Sequence, residues 1–349
     1  MTVTRHLLST SARGRLRILL AVIFALSPIS VTSAETGGAK PEKSDLTVPY
    51  VAPSAAFTPL YVAADAGLFS KYGLNVKSQL LAPSVGQKAL ISEEIDILVD
   101  GPVLIPARLS GSLVKYFGAY MQRYVFKIWG VKGVTTLEDL KGKIVAVSGP
   151  RGAVDNSTRE ALKKKGFTPD KDIKFVYNAQ VPAILTAILT GTVSAGTISA
   201  PLNLQAKAAG LNFLLDIGEL NIAGLQGAYG ATERFLRTHP NTLSAFSKAM
   251  AEGVALARKD SAAAKRAIAK FVKVDDPKII DASYDAYAPY LETSLAVRDQ
   301  VIRAELDYLD AKEFPKVRSA NPREFFDNTF IETLEKSGFF ASLGLGKQK

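Results

Sequence analysis

Cysteine is absent from all 349 residues. That excludes disulfides, thiolate metal sites, cysteine nucleophiles and lipid attachment at a lipobox cysteine. Histidine is nearly as scarce, with only His6 and His239. His239 stands in Thr238-His239-Pro240 at an expected helix start, a setting that suits a solvated entry residue better than a general base. No histidine pair exists for a metal, and no nucleophile elbow surrounds a strand-end serine. Neither catalysis nor a cofactor is expected. Tryptophan occurs once, as Trp129, and is read as hinge packing. No basic stripe is interleaved with aromatics, so nucleic acid is not an expected partner.

No apolar run reaches the ~20 residues needed to cross a bilayer. The longest candidate, Ile18 to Leu26, is short and is followed by Pro28. It lies between a basic region (Arg5, Arg13, Arg15 and Arg17) and the small-residue stretch Val31-Thr32-Ser33-Ala34. This is the layout of a secretory signal peptide cleaved after Ala34, and no twin-arginine pair is present. The expected mature chain is free in the periplasm and monomeric, with about 315 residues, enough for two ordinary domains. Removing the four leader arginines lowers the net charge from +10 to about +6. The remaining charges are scattered, as in Lys163-Lys164-Lys165 on an expected solvated helix face, and favour solubility. With 47% hydrophobic residues, a large core needs no covalent staple.

What is present is an alternation. Strands are expected at 46–51, 74–81 and 96–99, separated by helices at 59–69, 84–91 and 103–109. Ser84 and Gln87 are spaced as a capping box. Two aromatic-rich strands, 115–120 and 124–131, follow. A second set then begins with the capping pair Thr135 and Glu138. Its strands are expected at 143–147, 173–177, 193–198 and 211–215, and its helices at 153–165, 182–189 and 201–209. Alternation of this kind implies parallel strands with helices covering the sheet. No strand is expected after about 230. Helices are expected at 241–258, 261–271, 277–287 and 294–309, the first with Leu243, Phe246, Met250 and Val254 on one stripe. Chain passes at 127–132 and 225–231, bearing Gly130, Gly133, Gly227 and Gly230, suggest a hinge.

Three motifs carry a resemblance. They are Phe57-Thr58-Pro59-Leu60-Tyr61-Val62-Ala63-Ala64-Asp65-Ala66-Gly67-Leu68-Phe69 with Tyr72-Gly73-Leu74, then Thr135-Thr136-Leu137-Glu138-Asp139-Leu140-Lys141-Gly142-Lys143, then Ala187-Ile188-Leu189-Thr190-Gly191-Thr192-Val193-Ser194-Ala195. Over roughly residues 45–310 the chain resembles the periplasmic solute-binding proteins for aliphatic sulfonates, nitrate, taurine and thiamine-pyrimidine precursors. The resemblance implies an α/β, two-lobed type II periplasmic binding fold with a hinge and an interlobe cleft. Lobe 1 is then expected at 45–128 plus 230–345, and lobe 2 at 129–229. It also implies capture of a small anionic or heterocyclic organic ligand and delivery to the membrane permease of an ABC transporter. A sensing protein that docks with a chemoreceptor or sensor kinase would use the same cleft. An enzyme on this fold is a third reading, but the fungal pyrimidine synthases that share it use histidines and cysteines absent here.

Ligands of open α/β sheets bind beyond the carboxyl ends of the strands. That rule selects Ser54, Ala55 and Phe57 after the first strand, Ser84 at a helix start, and Gly101 and Pro102 after the third strand. In the second set it selects Ser148, Arg151 and Gly152, where a strand opens into a helix and free backbone N–H groups suit an anion. Arg151 is the candidate for a bidentate grip on that anion. Ser199 ends another strand, while Arg123 and Tyr229 lie near the passes. Relatives often carry an aromatic and an acidic residue before the proline at 201; Ser199 and Ala200 stand there instead.

Overall fold

Short apolar strands alternating with helices build sheets of two, three and five strands in the computed structural model, the first two joined at Tyr50 into one continuous layer; the structure describes residues 39–178 and 180–346. The expected signal peptide, 1–34, lies outside the described residues. In chain order the first elements are β1 (Asp45–Thr47), α1 (Thr58–Asp65), α2 (Leu68–Lys71), β2 (Asn75–Lys77), α3 (Pro83–Ile91), β3 (Leu98–Asp100), α4 (Leu104–Leu109) and β4 (Val114–Arg123). Then come β5 (Lys127–Gly130), β6 (Ile144–Val147), α5 (Ala153–Lys164), β7 (Lys174–Tyr177), α6 (Val181–Leu189), β8 (Ala195–Ile198), α7 (Leu202–Ala208), β9 (Asn212–Asp216) and β10 (Ala223–Thr232). Helices complete the described chain: α8 (Glu233–Thr238), α9 (Pro240–Lys259), α10 (Ser261–Val272), α11 (Pro277–Tyr287), α12 (Asp299–Asp307), α13 (Thr329–Lys336) and α14 (Phe339–Ser342).

The first sheet runs β2-β1-β3-β10-β4. β1 and β2 are parallel, while β10 lies antiparallel between β3 and β4. Tyr50 joins the two parts by bridging to Leu80 and to Val99. The second sheet runs β7-β6-β8-β5-β9, with β6 parallel to both its neighbours and β5 antiparallel to both of its own. Each sheet thus places its own strands in the order second, first, third, and then admits an antiparallel strand fed by a pass of the chain.

Each sheet has its own apolar core. The first includes Leu60, Tyr61, Phe117 and Tyr229 together with Leu243, Phe246, Met250 and Val254 of α9. That α9 stripe is fully buried, and burial of such side chains contributes about 1.5–3 kcal/mol each. The C-terminal helices therefore pack back on the first sheet, and α9 approaches α1 so closely that a Cβ on Gly253 would stand 2.5 Å from the Pro59 carbonyl oxygen. The second core gathers Val145, Val147, Ile184, Ile188 and Ile198, and Trp129, edge-on to Phe213, lies within it.

Several expectations need correction. The pass expected at 225–231, with Gly227 and Gly230 as hinge glycines, lies within β10, which also carries Gly224. Those glycines instead make room for side chains across the sheet. A Cβ on Gly224 would meet the Tyr124 ring at 2.2 Å, and one on Gly227 the Tyr120 ring at 2.3 Å. The chain passes between sheets at 124–126 and 217–222, earlier than expected. The helix expected at 59–69 breaks into α1 and α2 at Gly67, whose φ is +67°. The capping box at Ser84 and Gln87 does not form. Ala82 is the N-cap with Pro83 in the first turn, and the Gln87 amide donates to the Val103 carbonyl oxygen. The second cap is shifted by one residue: Asp139 accepts from the Thr135 and Thr136 N–H groups, and Thr136 Oγ1 accepts from Asp139 N–H.

Candidate ligand-binding site

The carboxyl ends of both sets of parallel strands converge on one cavity of about 550 Å³, mouth included. Val51, Ala52, Ser54, Ala56 and Phe57 arrive from the loop after β1, Asp100 from the end of β3, and Pro83 from the start of α3. Across from them stand Ser148, Gly152, Ala153 and Val154 at the join of β6 and α5. Gln180 and Val181 at the start of α6, and Ser199 after β8, complete that side. Phe126 in the outgoing pass and Gln226 on β10 form the floor. The surface is chiefly apolar. Its polar side chains are Ser54, Asp100, Ser148, Gln180, Ser199 and Gln226.

Backbone donors follow from the helix starts. Neither α5 nor α6 has a side-chain N-cap, so part of the first-turn N–H set is left for solvent or a ligand. Ser54 is committed within the protein. Its Oγ accepts from Ala56 N–H at 3.2 Å and donates to the Ala200 carbonyl oxygen at 3.3 Å, tying the loop after β1 to the segment after β8. Ala55 is buried behind it and does not line the cavity; its N–H donates to the same carbonyl. Gly101 belongs to the junction between the halves: a Cβ there would stand 2.7 Å from the Leu225 carbonyl oxygen and 3.1 Å from Ala153 Cβ. Pro102 is buried beside it. The loop is pinned by Tyr116, whose hydroxyl donates to Gly101 O at 2.8 Å and accepts from Leu104 N–H at 3.1 Å.

Asp100 is the one ionisable side chain among the lining residues. It is 6% exposed. Its Oδ1 accepts from Gly101 N–H at 2.6 Å, while Oδ2 has no partner among the described residues. Burial pushes its carboxyl up to about 7, against the smaller opposing effect of the Gly101 N–H. Such a shift reflects the cost of holding a carboxylate away from water.

A second buried carboxyl, Glu305 on α12, gathers the outgoing pass, α5 and β10. It accepts from the Tyr124 hydroxyl, from Asn156 Nδ2 of α5 at 2.9 Å and from Leu225 N–H at 2.7 Å. Burial raises it to about 7, although each of those donors pulls it down. Gln226 pairs its side-chain amide with both backbone groups of Val125, so β10 and the outgoing pass are fastened together under the site.

Of the residues selected from sequence, Ser54, Phe57, Ser148, Gly152 and Ser199 line the cavity. Arg151 and Ser84 line an adjoining hollow instead. Arg151 has a left-handed φ of +60° and donates its N–H to the Asp155 carboxylate at 2.8 Å. Its guanidinium is held 2.6 Å from Glu313 and lies over the Phe314 ring. Arg123 lies over Tyr290. Tyr229 is fully buried against Phe117 and Phe246 in the first core. His239 is stacked on Phe235 and is not among the lining residues. Sequence reasoning missed Asp100, Gln180 and Gln226. Asp100 carries a signal that could have found it, being an acidic residue directly before the Gly101-Pro102 strand end.

A family model described as NMT1/THI5 like matches residues 54–264, more than half of the chain. The chain belongs to the NMT1/THI5-like family. The matched region contains every cavity segment from Ser54 to Gln226. A curated relative, the bicarbonate transport ATP-binding protein CmpC of Synechocystis, is 28% identical over 246 residues, which are 61% of this chain but only 35% of that protein. Among solved structures, the periplasmic nitrate-binding protein NrtA of Synechocystis superposes with a TM-score of 0.70 at 17% identity, covering 87% of this chain and 91% of that one. The alkanesulfonate-binding protein SsuA of Xanthomonas axonopodis, bound to MOPS, superposes with a TM-score of 0.65 at 20% identity, covering 84% and 98%. The fold is that of the periplasmic binding proteins of ABC-type systems.

Proposed function

We propose that this family member is the extracytoplasmic solute-binding component of an ABC importer, catching a small organic molecule between two lobes and handing it to a membrane permease. The lobes are broadly 45–123 with 223–345 and 127–216, each built on its own sheet and moving about the passes at 124–126 and 217–222. The observation that carries this reading is the convergence of both sets of strand ends on one cavity. Its lining residues present hydroxyls, amides and uncapped helix starts around an apolar interior. That arrangement suits capture and release. Its serines face no histidine, and no group of three acidic or histidine side chains able to hold a metal occurs among the described residues. No described helix is long and apolar enough to cross a membrane; in this reading the mature protein acts free in the periplasm as a monomer.

The test is a thermal-shift screen of the exported protein against sulfonates, carboxylates, nitrate, amines and nitrogen heterocycles, followed by calorimetry. A ligand at a hundredfold excess over its dissociation constant stabilises the native state by about 2.7 kcal/mol. Saturable one-to-one binding that narrows the distance between spin labels on the two sheets is expected. Binding without any such movement would refute the two-lobe closure.

A further inference from the structure

Resting on that reading of the cavity as the ligand site, we infer that Asp100 is the specificity-determining anchor. The solute it selects is a compact, apolar-bodied nitrogen compound presenting N–H donors (an amine, amidine or amino-heterocycle) and not an oxyanion. Asp100 supplies the only formal charge among the lining residues, which include no lysine, arginine or histidine. The nearby cation, Arg151, lies in the adjoining hollow with its guanidinium committed to Glu313. An oxyanion in the cavity would therefore meet a carboxylate with no cationic side chain to offset it. A ligand N–H would instead satisfy Oδ2, the buried oxygen left without a partner while Oδ1 holds Gly101 N–H. Buried polar atoms without partners are costly and are normally satisfied. The apolar walls, Phe57, Phe126, Val154 and Val181 among them, suit a hydrocarbon or ring body.

The titratable groups that bear on Asp100 are the phenols of Tyr116 and Tyr120 on β4, and burial holds both well above their ordinary range, un-ionised near neutral pH. Glu305 acts on Tyr116 from beyond them. Its Gly101 N–H contact aside, Asp100 has no group among the described residues to stabilise its charge, and burial pushes its carboxyl up to about 7. An N–H donor favours the carboxylate, so binding of a cation should release a proton below that value.

The experiment uses the exported protein, calorimetry and two sets of probes. One set is benzamidine, 4-aminopyrimidine and cyclohexylamine; the other is nitrate, bicarbonate and ethanesulfonate. At least one of the first set is expected to bind saturably. Asp100→Asn should weaken that binding at least tenfold, while circular dichroism and unliganded melting remain those of a folded protein. Affinity for benzamidine, charged throughout, should rise up to tenfold per pH unit from 5 to 7 and then level off. Asp100→Glu, which keeps the charge, should retain more affinity than Asp100→Asn. Binding of an oxyanion, unchanged or tightened in Asp100→Asn, would overturn this inference and leave the solute-binding reading standing. A nitrogen probe that binds equally well to Asp100→Asn would also overturn it. If no probe of either set binds at 10 mM, a concentration of about two orders above a ~0.1 mM dissociation constant, the inference fails too. Absence of any ligand-induced closure across the wider screen would then take the solute-binding reading with it.

Discussion

Two buried carboxyls set the behaviour of the molecule at the scale of single residues. Asp100 and Glu305 are both pushed up to about 7 by burial, so each binds its proton more tightly folded than unfolded. A raised carboxyl stabilises the fold below its unfolded value near 4, and that stability is lost as pH rises towards 7. Between pH 4 and 7 the unliganded protein should lose up to ~1.4 kcal/mol per pH unit for each group. Urea unfolding across that range is the measurement, and Asp100→Asn should flatten the slope. A wild-type slope equal to that of the variant would show that Asp100 titrates normally. Arg151 belongs to the same scale. Its guanidinium pairs with Glu313 at a site where both side chains are more than a third exposed. Arg151→Ala should therefore change ligand affinity by less than about 1 kcal/mol. A loss of a hundredfold or more in calorimetry would return Arg151 to the ligand.

At the scale of elements, β10 is the strand whose construction is least visible locally. It carries Gly224, Gly227 and Gly230 where a central strand usually carries bulk, and Tyr124, Tyr120 and Leu104 respectively fill the space. The exchange is mutual: a Cβ on Gly118 of β4 would meet the Tyr229 ring of β10 at 2.1 Å. Glycine in a strand often marks such close approach. Gly227→Val should cost about 1–3 kcal/mol by displacing the Tyr120 ring. Adding Tyr120→Leu should recover part of that loss, because the two changes share one contact. Strict additivity of the two costs in denaturant unfolding would show that the ring and the glycine are not coupled. The C-terminal helices are the contrasting case, since the apolar stripe of α9 identifies its buried face without reference to any partner.

For the whole molecule, Gly101 is a tight point, set between the Leu225 carbonyl oxygen of β10 in its own sheet and Ala153 of α5 across the junction. A side chain there is a wedge between the end of β3 and the start of α5. Gly101→Val should also press on the Leu225 carbonyl oxygen of β10 in its own sheet, so some loss of stability in denaturant unfolding is expected beside any effect on the cleft. It should hold the cleft open, raising the radius of gyration in X-ray scattering with ligand present and weakening binding at least tenfold. Wild-type affinity and a wild-type radius with ligand would remove Gly101 from closure. Glu305 ties the outgoing pass at Tyr124, α5 at Asn156 and β10 at Leu225 to one carboxyl.

The sequence by itself determined the alternation of strands and helices, the helical stripe at Leu243, Phe246, Met250 and Val254, and the strand-end loops at Ser54–Phe57, Ser148–Gly152 and Ser199. Those features are written in periodicity and turn chemistry over a few neighbouring residues, and a rule about strand ends converts them into a cavity. Only the tertiary structure decided what the glycines of β10 accommodate, because their partners, Tyr120 and Tyr124, lie about a hundred residues away in the chain. It also decided which charge lines the cavity. Arg151 follows a strand and is selected from the sequence, whereas Asp100 ends one and is not. A left-handed turn and Glu313 draw the arginine into the adjoining hollow, whereas the packing of β3 between β1 and β10 carries the aspartate into the cavity.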